Sequence, residues 1–359
     1  MTRSASTPNR IEISSYDWPE VTAGTDLVAL VTRTLELADG DVLVLTSKVV
    51  SKAEDRVVPG PRATVVAAES TRTVARRGQS VITETRHGLI MAAAGVDASN
   101  VGEDCVATLP VDSDDSARRL RAGLYDVTGR NVAVVVTDTA GRAWRNGQTD
   151  MAIGCAGLWP LVDLAGTLDV YSGLLTVTAP AVADELAAAA DLVKGKTTGR
   201  PLARVRGLGD TVLPVGAPGP GAGTLIRHRD DDLFGLGARD AVQAAALRSD
   251  EQALGHFPRR VGTDPEPFEG VDSDSPDVLI TWARSEQTVD DTPGGAGDWL
   301  VQVDVRSTAG PDAWIEAGRL LERVDILAAA HRLRLAANPG PLPQVTGWRT
   351  VARGRWSVA

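Results

Sequence analysis

The sequence predicts an α+β fold, and three observations carry that reading. Two apolar, β-branched runs, Asp41–Val50 (DVLVLTSKVV) and Asn131–Thr137 (NVAVVVT), read as strands covered on both faces. Helix-patterned stretches lie around them, and the order of elements lacks the regular strand–helix alternation of a doubly wound sheet. We read this domain over residues 10–250, a linker over 251–277, and a second, small α+β domain over 278–359.

A first helix is expected over Thr25–Leu37, followed by the turn Ala38-Asp39-Gly40 that opens the Asp41–Val50 strand. Helices over Ala63–Arg77 and Ser113–Tyr125 come next, and Gly129-Arg130 leads into the second strand. A fourth helix, Ala179–Val193, begins at Pro180 and carries Asp184 and Glu185 in its first turn, where the helix dipole favours acids. Residues 214–223, PVGAPGPGAG, form a break, and the acidic stretch from Arg229 to Leu233 leads into a short helix ending at Leu247. After the linker, Val278–Trp282 and Trp299–Val305 read as strands and Asp312–Arg334 as a long amphipathic helix. Five of the eight Trp lie beyond residue 280, a shift in composition that marks a separate domain.

The chain has 47 acidic and 37 basic side chains in 359 residues, a formal charge of −10, which argues against broad nucleic-acid or anionic-membrane binding. Only four of the basic residues are Lys, in two pairs: Lys48 with Lys52, and Lys194 with Lys196. Cys105 and Cys155 form no CxxC or Cys/His pattern, so a structural zinc site is unsupported and free thiols in a reducing compartment are expected. Met1–Asn9 is polar and lacks a signal-peptide core, and no apolar run approaches the ~18–20 residues that cross a bilayer. A soluble, cytoplasmic protein is the expectation.

Two lysine pairs in an acidic protein suggest an anion, so phosphate motifs come first. Gly195-Lys196-Thr197 resembles the end of a P-loop, but the required upstream glycine is Ala190 and a helix stands where a strand should feed the loop. The glycines at 219, 221 and 223 give no dinucleotide-binding fingerprint. Three other blocks carry more. Thr46-Ser47-Lys48-Val49-Val50-Ser51-Lys52 closes a buried strand, where open sheets place ligands; two readings stand, a polyphosphate grip or solvated lysines. RHGLIMAAAGVDASN, residues 86–100, ends in Asp97-x-x-Asn100, which serves equally as a cation and nucleotide site or as a turn cap. DTAGRAWRNGQTD, residues 138–150, follows the second strand directly; Asp138 and Thr139 offer oxygens to Mg2+ or Mn2+, and function is the better reading. His87 alone reads as a structural histidine.

Together TSKVVSKAE, RHGLIMAAAGVDASN and DTAGRAWRNGQTDMAIG, with VADELAAAADLVKGK and the earlier Trp18-Pro19-Glu20-Val21, resemble the coenzyme F420-0:L-glutamate ligase family over about residues 10–248. The likeness is greatest to the ligase half of the actinobacterial bifunctional form. It implies a GTP-dependent amide ligation in which the carboxylate of coenzyme F420-0 is phosphorylated and L-glutamate displaces phosphate, repeatable to a γ-glutamyl tail. It implies an unusual mixed-sheet fold forming an intertwined homodimer. By resemblance, Trp18, Pro19, Glu20, Val21, Ser47, Lys48, Lys52 and Asn100 contact GTP, and the loop with Lys194, Gly195, Lys196 and Thr197 closes over it. Asp97, Asp138 and Thr139 would hold Mg2+ or Mn2+, with K+ as a further candidate; Lys196, a protonated amine, is assigned to phosphate. The segment AWIEAGRLLERVDILAAAHRLRLAANPGPLPQ resembles the later part of a nitroreductase domain, but the Arg-rich opening that would grip flavin phosphate is missing, so a degenerate domain without flavin is expected. Three other readings stay open: a ligase for another carboxylate acceptor, suggested by the Arg-poor stretch LAGTLDVYSGLL; a non-catalytic paralogue that keeps F420 or nucleotide; and a flavin- or F420-dependent oxidoreductase.

Overall fold

The computed structural model describes residues 10–228, 232, 237, 241–242, 275–284, 299–330, 333–336 and 348–358. Contacts divide the chain into two units: one runs to His228 apart from residues 72–75, and the other holds those four residues and the chain from Arg229. Most of the acidic stretch after His228, the end of the short helix to Leu247 and linker residues 251–274 lie outside the described residues.

In chain order the first unit contains β1 (Glu12–Tyr16), α1 (Leu27–Thr34), β2 (Val42–Thr46), α2 (Ser47–Ala53), β3 (Val57–Pro59), α3 (Arg62–Glu69), the two ends of β4 (Ser70–Arg77), β5 (Ser80–Thr85) and β6 (Ile90–Ala92). There follow β7 (Cys105–Ala107), α4 (Ser113–Thr128), β8 (Ala133–Arg142), β9 (Arg145–Ala156), α5 (Val182–Lys194) and β10 (Leu202–Arg206). Its main sheet has the order β1-β10-β2-β8-β9 and is mixed. Only β2 and β8 run parallel, and the other three pairings are antiparallel.

Strand alternation divides the core between the two faces of this sheet. Leu43, Leu45, Val134 and Val136 point to one face and pack against Leu30 and Val31 of α1, Val49 and Val50 of α2, and Leu120 and Leu124 of α4. Val42, Val44, Ala133, Val135, Ala152 and Cys155 point to the other and pack against Ala183, Leu186 and Ala190 of α5. Each fully buried Val or Leu contributes roughly 1.5–3 kcal/mol of hydrophobic stabilisation before entropy is subtracted. Asp41, fully buried at the start of β2, is paired by Arg206 of β10 through two 2.7 Å hydrogen bonds and also accepts the Ala38 N–H. The turn before β2 is thereby tied to the strand beside it. Asp112 caps α4 by accepting the Asp115 N–H at 2.8 Å, and Gly129 ends it in the left-handed conformation, φ 68°. Between β8 and β9 the register slips by one: Val136 pairs with Gly154 but Thr137 with Ala152, leaving Ile153 as an extra residue.

The second unit contains β11 (Val278–Arg284), β12 (Trp299–Arg306), α6 (Pro311–Ala330), β13 (Leu333–Ala336) and β14 (Trp348–Val358). The strands form an antiparallel sheet in the order β11-β12-β14-β13, and Ala317, Leu320, Val324 and Leu327 of α6 pack on Val301, Val303 and Val305. Both units are therefore α+β. Among the described residues no helix is long and apolar enough to cross a membrane.

Four expected elements differ. The Asp41–Val50 strand stops at Thr46, and Ser47–Ala53 is helical because that coil buries Ser47, Val49, Val50 and Ser51 while leaving Lys48 and Lys52, four apart, together on its outer side. The Ala63–Arg77 helix ends at Glu69: the Ser70 hydroxyl donates back to the Val66 carbonyl, and Thr71, Thr73 and Val74 favour the extended chain of β4. The Asn131–Thr137 strand runs on to Arg142 and the polar stretch 138–150 forms a hairpin with it, since ladder pairing uses backbone groups and tolerates polar side chains that face solvent. The helix expected to Arg334 ends at Ala330, and Leu333–Ala336 is a strand paired with β14.

Candidate functional site

Because β2 and β8 are parallel and in register, Thr46 lies beside Thr137, where β2 ends and β8 runs on past it at one edge of the sheet. That edge is where open sheets hold ligands. The segment 195–201 reaches the same edge: the Thr46 N–H donates to the Pro201 carbonyl at 3.0 Å, and the Trp18 N–H to the Gly199 carbonyl at 3.3 Å. Four blocks distant in sequence thus meet.

On the face of α1, α2 and α4, the Ser47 hydroxyl donates to Asp138 Oδ1 at 3.2 Å. Burial pushes the Asp138 carboxyl up to about 6, and the Asp150 charge adds to that push; the Thr139 N–H, Ser47 and the Lys196 charge oppose it. Next to Ser47 on α2, Lys48 Nζ lies 2.5 Å from Asp97 Oδ2 and donates to the Ser99 carbonyl and hydroxyl at 2.9 and 2.7 Å. Burial raises the Asp97 pKa, but Lys48 and the Ser99 N–H and hydroxyl outweigh it and hold the carboxyl below its usual range. Lys52 Nζ lies 3.4 Å from Glu20 Oε1.

On the face of α5, the Thr139 hydroxyl donates to Asp150 Oδ1 at 2.8 Å and the Thr137 hydroxyl to Asp150 Oδ2 at 2.9 Å. Lys194 Nζ donates to Asp150 Oδ2 at 2.8 Å and to Thr137 Oγ1 at 2.9 Å. Lys196 Nζ donates to Thr139 Oγ1. Burial works against the Asp150 charge, but Lys194 and the two hydroxyls bring its pKa below the ordinary value. Just past Thr137, β8 therefore carries two chemistries, Asp138 on one side and Thr139 on the other.

The residues expected at a nucleotide are placed unevenly. Ser47, Lys48, Lys52, Glu20 and Lys196 gather around the sheet edge through the contacts above, and Gly195, Lys196 and Thr197 are exposed. Pro19 is exposed, whereas Trp18 is half-buried and its indole N–H has no hydrogen-bond partner among the described residues. Val21 is 3% exposed inside the core, so it offers a ligand only backbone. Asn100 is exposed, in a left-handed turn with φ 54°. Lys194 departs from the expectation: it is inside the protein and its ammonium is taken up by Asp150 and Thr137. Asp150 and Ser99 have no role in the sequence-based expectation. The signal for Asp150 is nonetheless present, since β-alternation places it inward with Ala152 and a buried carboxylate needs partners.

Asp97, Asp138 and Thr139 present hard oxygens, and among the described residues no three His, Cys, Asp or Glu side chains cluster as a self-sufficient metal site. These donors, with Asp138 and Thr139 on opposite sides of β8, fit ions such as Mg2+, each held by one or two protein oxygens and completing its shell with water and substrate phosphate oxygens. The part-buried Asp138 carboxylate, which has no lysine or arginine in ion-pair contact among the described residues, fits as well.

A sequence model of the F420-0:Gamma-glutamyl ligase family matches residues 16–61 and 59–207. The coenzyme F420:L-glutamate ligase of Methanothermobacter thermautotrophicus is 37% identical over 244 residues, which are 60% of this chain and 95% of the relative. That of Methanopyrus kandleri is 37% identical over 236 residues, 60% of this chain and 93% of the relative. That of Halobacterium salinarum is 41% identical over 214 residues, 52% of this chain and 83% of the relative.

Proposed function

The chain belongs to the F420-0:Gamma-glutamyl ligase family, and from that premise we propose that it joins L-glutamate to coenzyme F420-0 in an amide bond at the expense of GTP. The observation that carries this reading is the meeting of Ser47, Lys48, Asp138, Thr139 and Lys196 at one sheet edge. In the proposed reaction the acceptor carboxylate attacks the γ-phosphorus of GTP and GDP leaves. The glutamate amine then attacks the acyl phosphate, and inorganic phosphate leaves with the amide formed. Such a reaction asks the protein mainly for positioning and charge neutralisation.

Lys48 and Lys52 sit on one side of α2, and each is paired with a carboxylate, Asp97 and Glu20. Glu20 is exposed, so that pair is weak and is readily exchanged for a phosphate oxygen. Lys196 stands at the exposed mouth, with its ammonium beside Thr139. Asp97, Asp138 and Thr139 would hold Mg2+ or Mn2+, which when bound neutralises phosphate oxygens and aligns the phosphoryl group. Asp138 must be ionised to do so, and its raised pKa makes that holding weaker below pH about 6.

A homodimer is part of the same proposal. Trp159, Leu168, Val170, Tyr171, Leu174 and Val177 form a run of exposed apolar side chains between β9 and α5, which supports cover by a second copy. Light scattering on the purified protein tests it. The ligase reading is tested by incubating the protein with F420-0, GTP, Mg2+ or Mn2+ and L-glutamate. Mass spectrometry should show the acceptor gaining one glutamyl unit only when GTP is present; an unchanged acceptor mass refutes the reading.

A further inference from the structure

Asp150 and Lys194 form a buried ion pair, 4% and 3% exposed at their side chains, directly behind the proposed site. Taking two charges out of water is costly, and a well-packed apolar pair is often as stable or more so. Stability alone is therefore a poor reason for this pair, and its hydrogen bonds supply a better one. Oδ2 is taken by Lys194 and Thr137, and Oδ1 accepts the Thr139 proton. Both Asp150 oxygens are thus occupied by protein donors, so it is not itself poised as a ligand.

The effect falls on Thr139. A hydroxyl has one proton and two lone pairs. With the proton committed to Asp150 and the Lys196 ammonium on the oxygen, the remaining lone pair faces away from both. A threonine free to rotate would spend part of its time pointing its proton at a cation. The spacing repeats: Lys194 meets Thr137, and Lys196, two residues on, meets Thr139, two residues on. The end of α5 and the middle of β8 are thus joined rung by rung.

We propose that Asp150, held in place by Lys194, is a positioning residue that fixes the Thr139 hydroxyl as an acceptor toward a divalent cation. This rests on the metal-dependent ligase reading, and the test separates the two. The variant Asp150→Leu/Lys194→Met removes both charges together and leaves an apolar pair with no unpaired charge buried; the single Asp150→Asn retains an acceptor for Thr139. Mn2+ alone is titrated into each protein and free Mn2+ is read by electron paramagnetic resonance, with melting temperature alongside.

The double variant should melt within a few degrees of the wild type yet bind Mn2+ about 10–100-fold more weakly, the usual effect of losing an outer-shell partner. Asp150→Asn should recover part of that loss. In a Thr139→Val background the double variant should cost nothing further, because the hydroxyl it orients is gone. Unchanged Mn2+ affinity in a folded double variant overturns the proposal. So does an effect that persists in full with Thr139→Val, and so does a wild type that binds no Mn2+. If Mn2+ coupling is found while the glutamylation assay fails, the ligase reading falls and the positioning role stands.

Discussion

Replacing Asp138 with asparagine should stabilise the metal-free protein, and by an amount that depends on pH. The carboxyl is raised from 3.8 to about 6, principally by burial. A shift near two units corresponds to about 3 kcal/mol, since each unit is 1.36 kcal/mol. Below pH about 4 the carboxyl is neutral in both folded and unfolded chains and costs nothing. As pH rises from about 4 through 6 the unfolded chain ionises first, and the folded protein loses that stability progressively. Above pH about 6 the loss is complete. The Asp138→Asn side chain carries no such charge, although it makes a weaker hydrogen bond with Ser47, leaving a net gain of about 1–3 kcal/mol at pH 8. Urea denaturation in EDTA at pH 4 and pH 8 measures the gap, which should be small at the lower pH and open at the higher. Saturating Mn2+ should then reverse the order, since a ligand at 100 times its Kd adds about 2.7 kcal/mol to the wild type and little to the variant. A variant less stable than the wild type in EDTA at pH 8, or a gap that does not change with pH, would refute the reasoning.

Gly154→Ala should destabilise the first unit by about 1–3 kcal/mol or more, because a Cβ there would lie 2.3 Å from the backbone of Ser113 at the start of α4; thermal unfolding checks it. Cys155 is 1% exposed, and burial, with the Asp114 charge, pushes its thiol up to about 12, while Cys105 is half-buried. At pH 8 a colourimetric thiol reagent should therefore modify Cys105 in the native protein and reach Cys155 only after denaturant is added.

The interior strands were readable because Val42–Leu45 and Ala133–Val136 are apolar without interruption, as strands covered on both faces must be. Where that run continues as SKVVSK, the two β-branched valines favour a strand, whereas the four-residue spacing of the lysines suits a helix. Packing of Val49 and Val50 against α4 and the sheet decided it. The hairpin after Asp138 was obscured because its outer half, residues 141–148, faces solvent and carries no apolar alternation. Within the site, the residue types that meet phosphate and metal were visible as blocks. Lys194 and Lys196 could not be told apart from sequence, because which of them turns inward depends on where α5 ends and Gly195 turns the chain, φ 64°.

The extra residue at Ile153 bears on how insertions and deletions along β9 should be read. Below the slip, Asp150 stands opposite Thr139; in an unbroken ladder it would stand opposite Ala140, in phase with Asp138, and Lys194 would face no carboxylate. Deleting Ile153 would leave every pair below the slip unchanged and simply regularise the alternation. Deleting Met151 with the slip kept would instead reverse the phase and bring two carboxylates onto one side. A one-residue gap is therefore silent for the ion pair at the first position and disruptive at the second, two residues away.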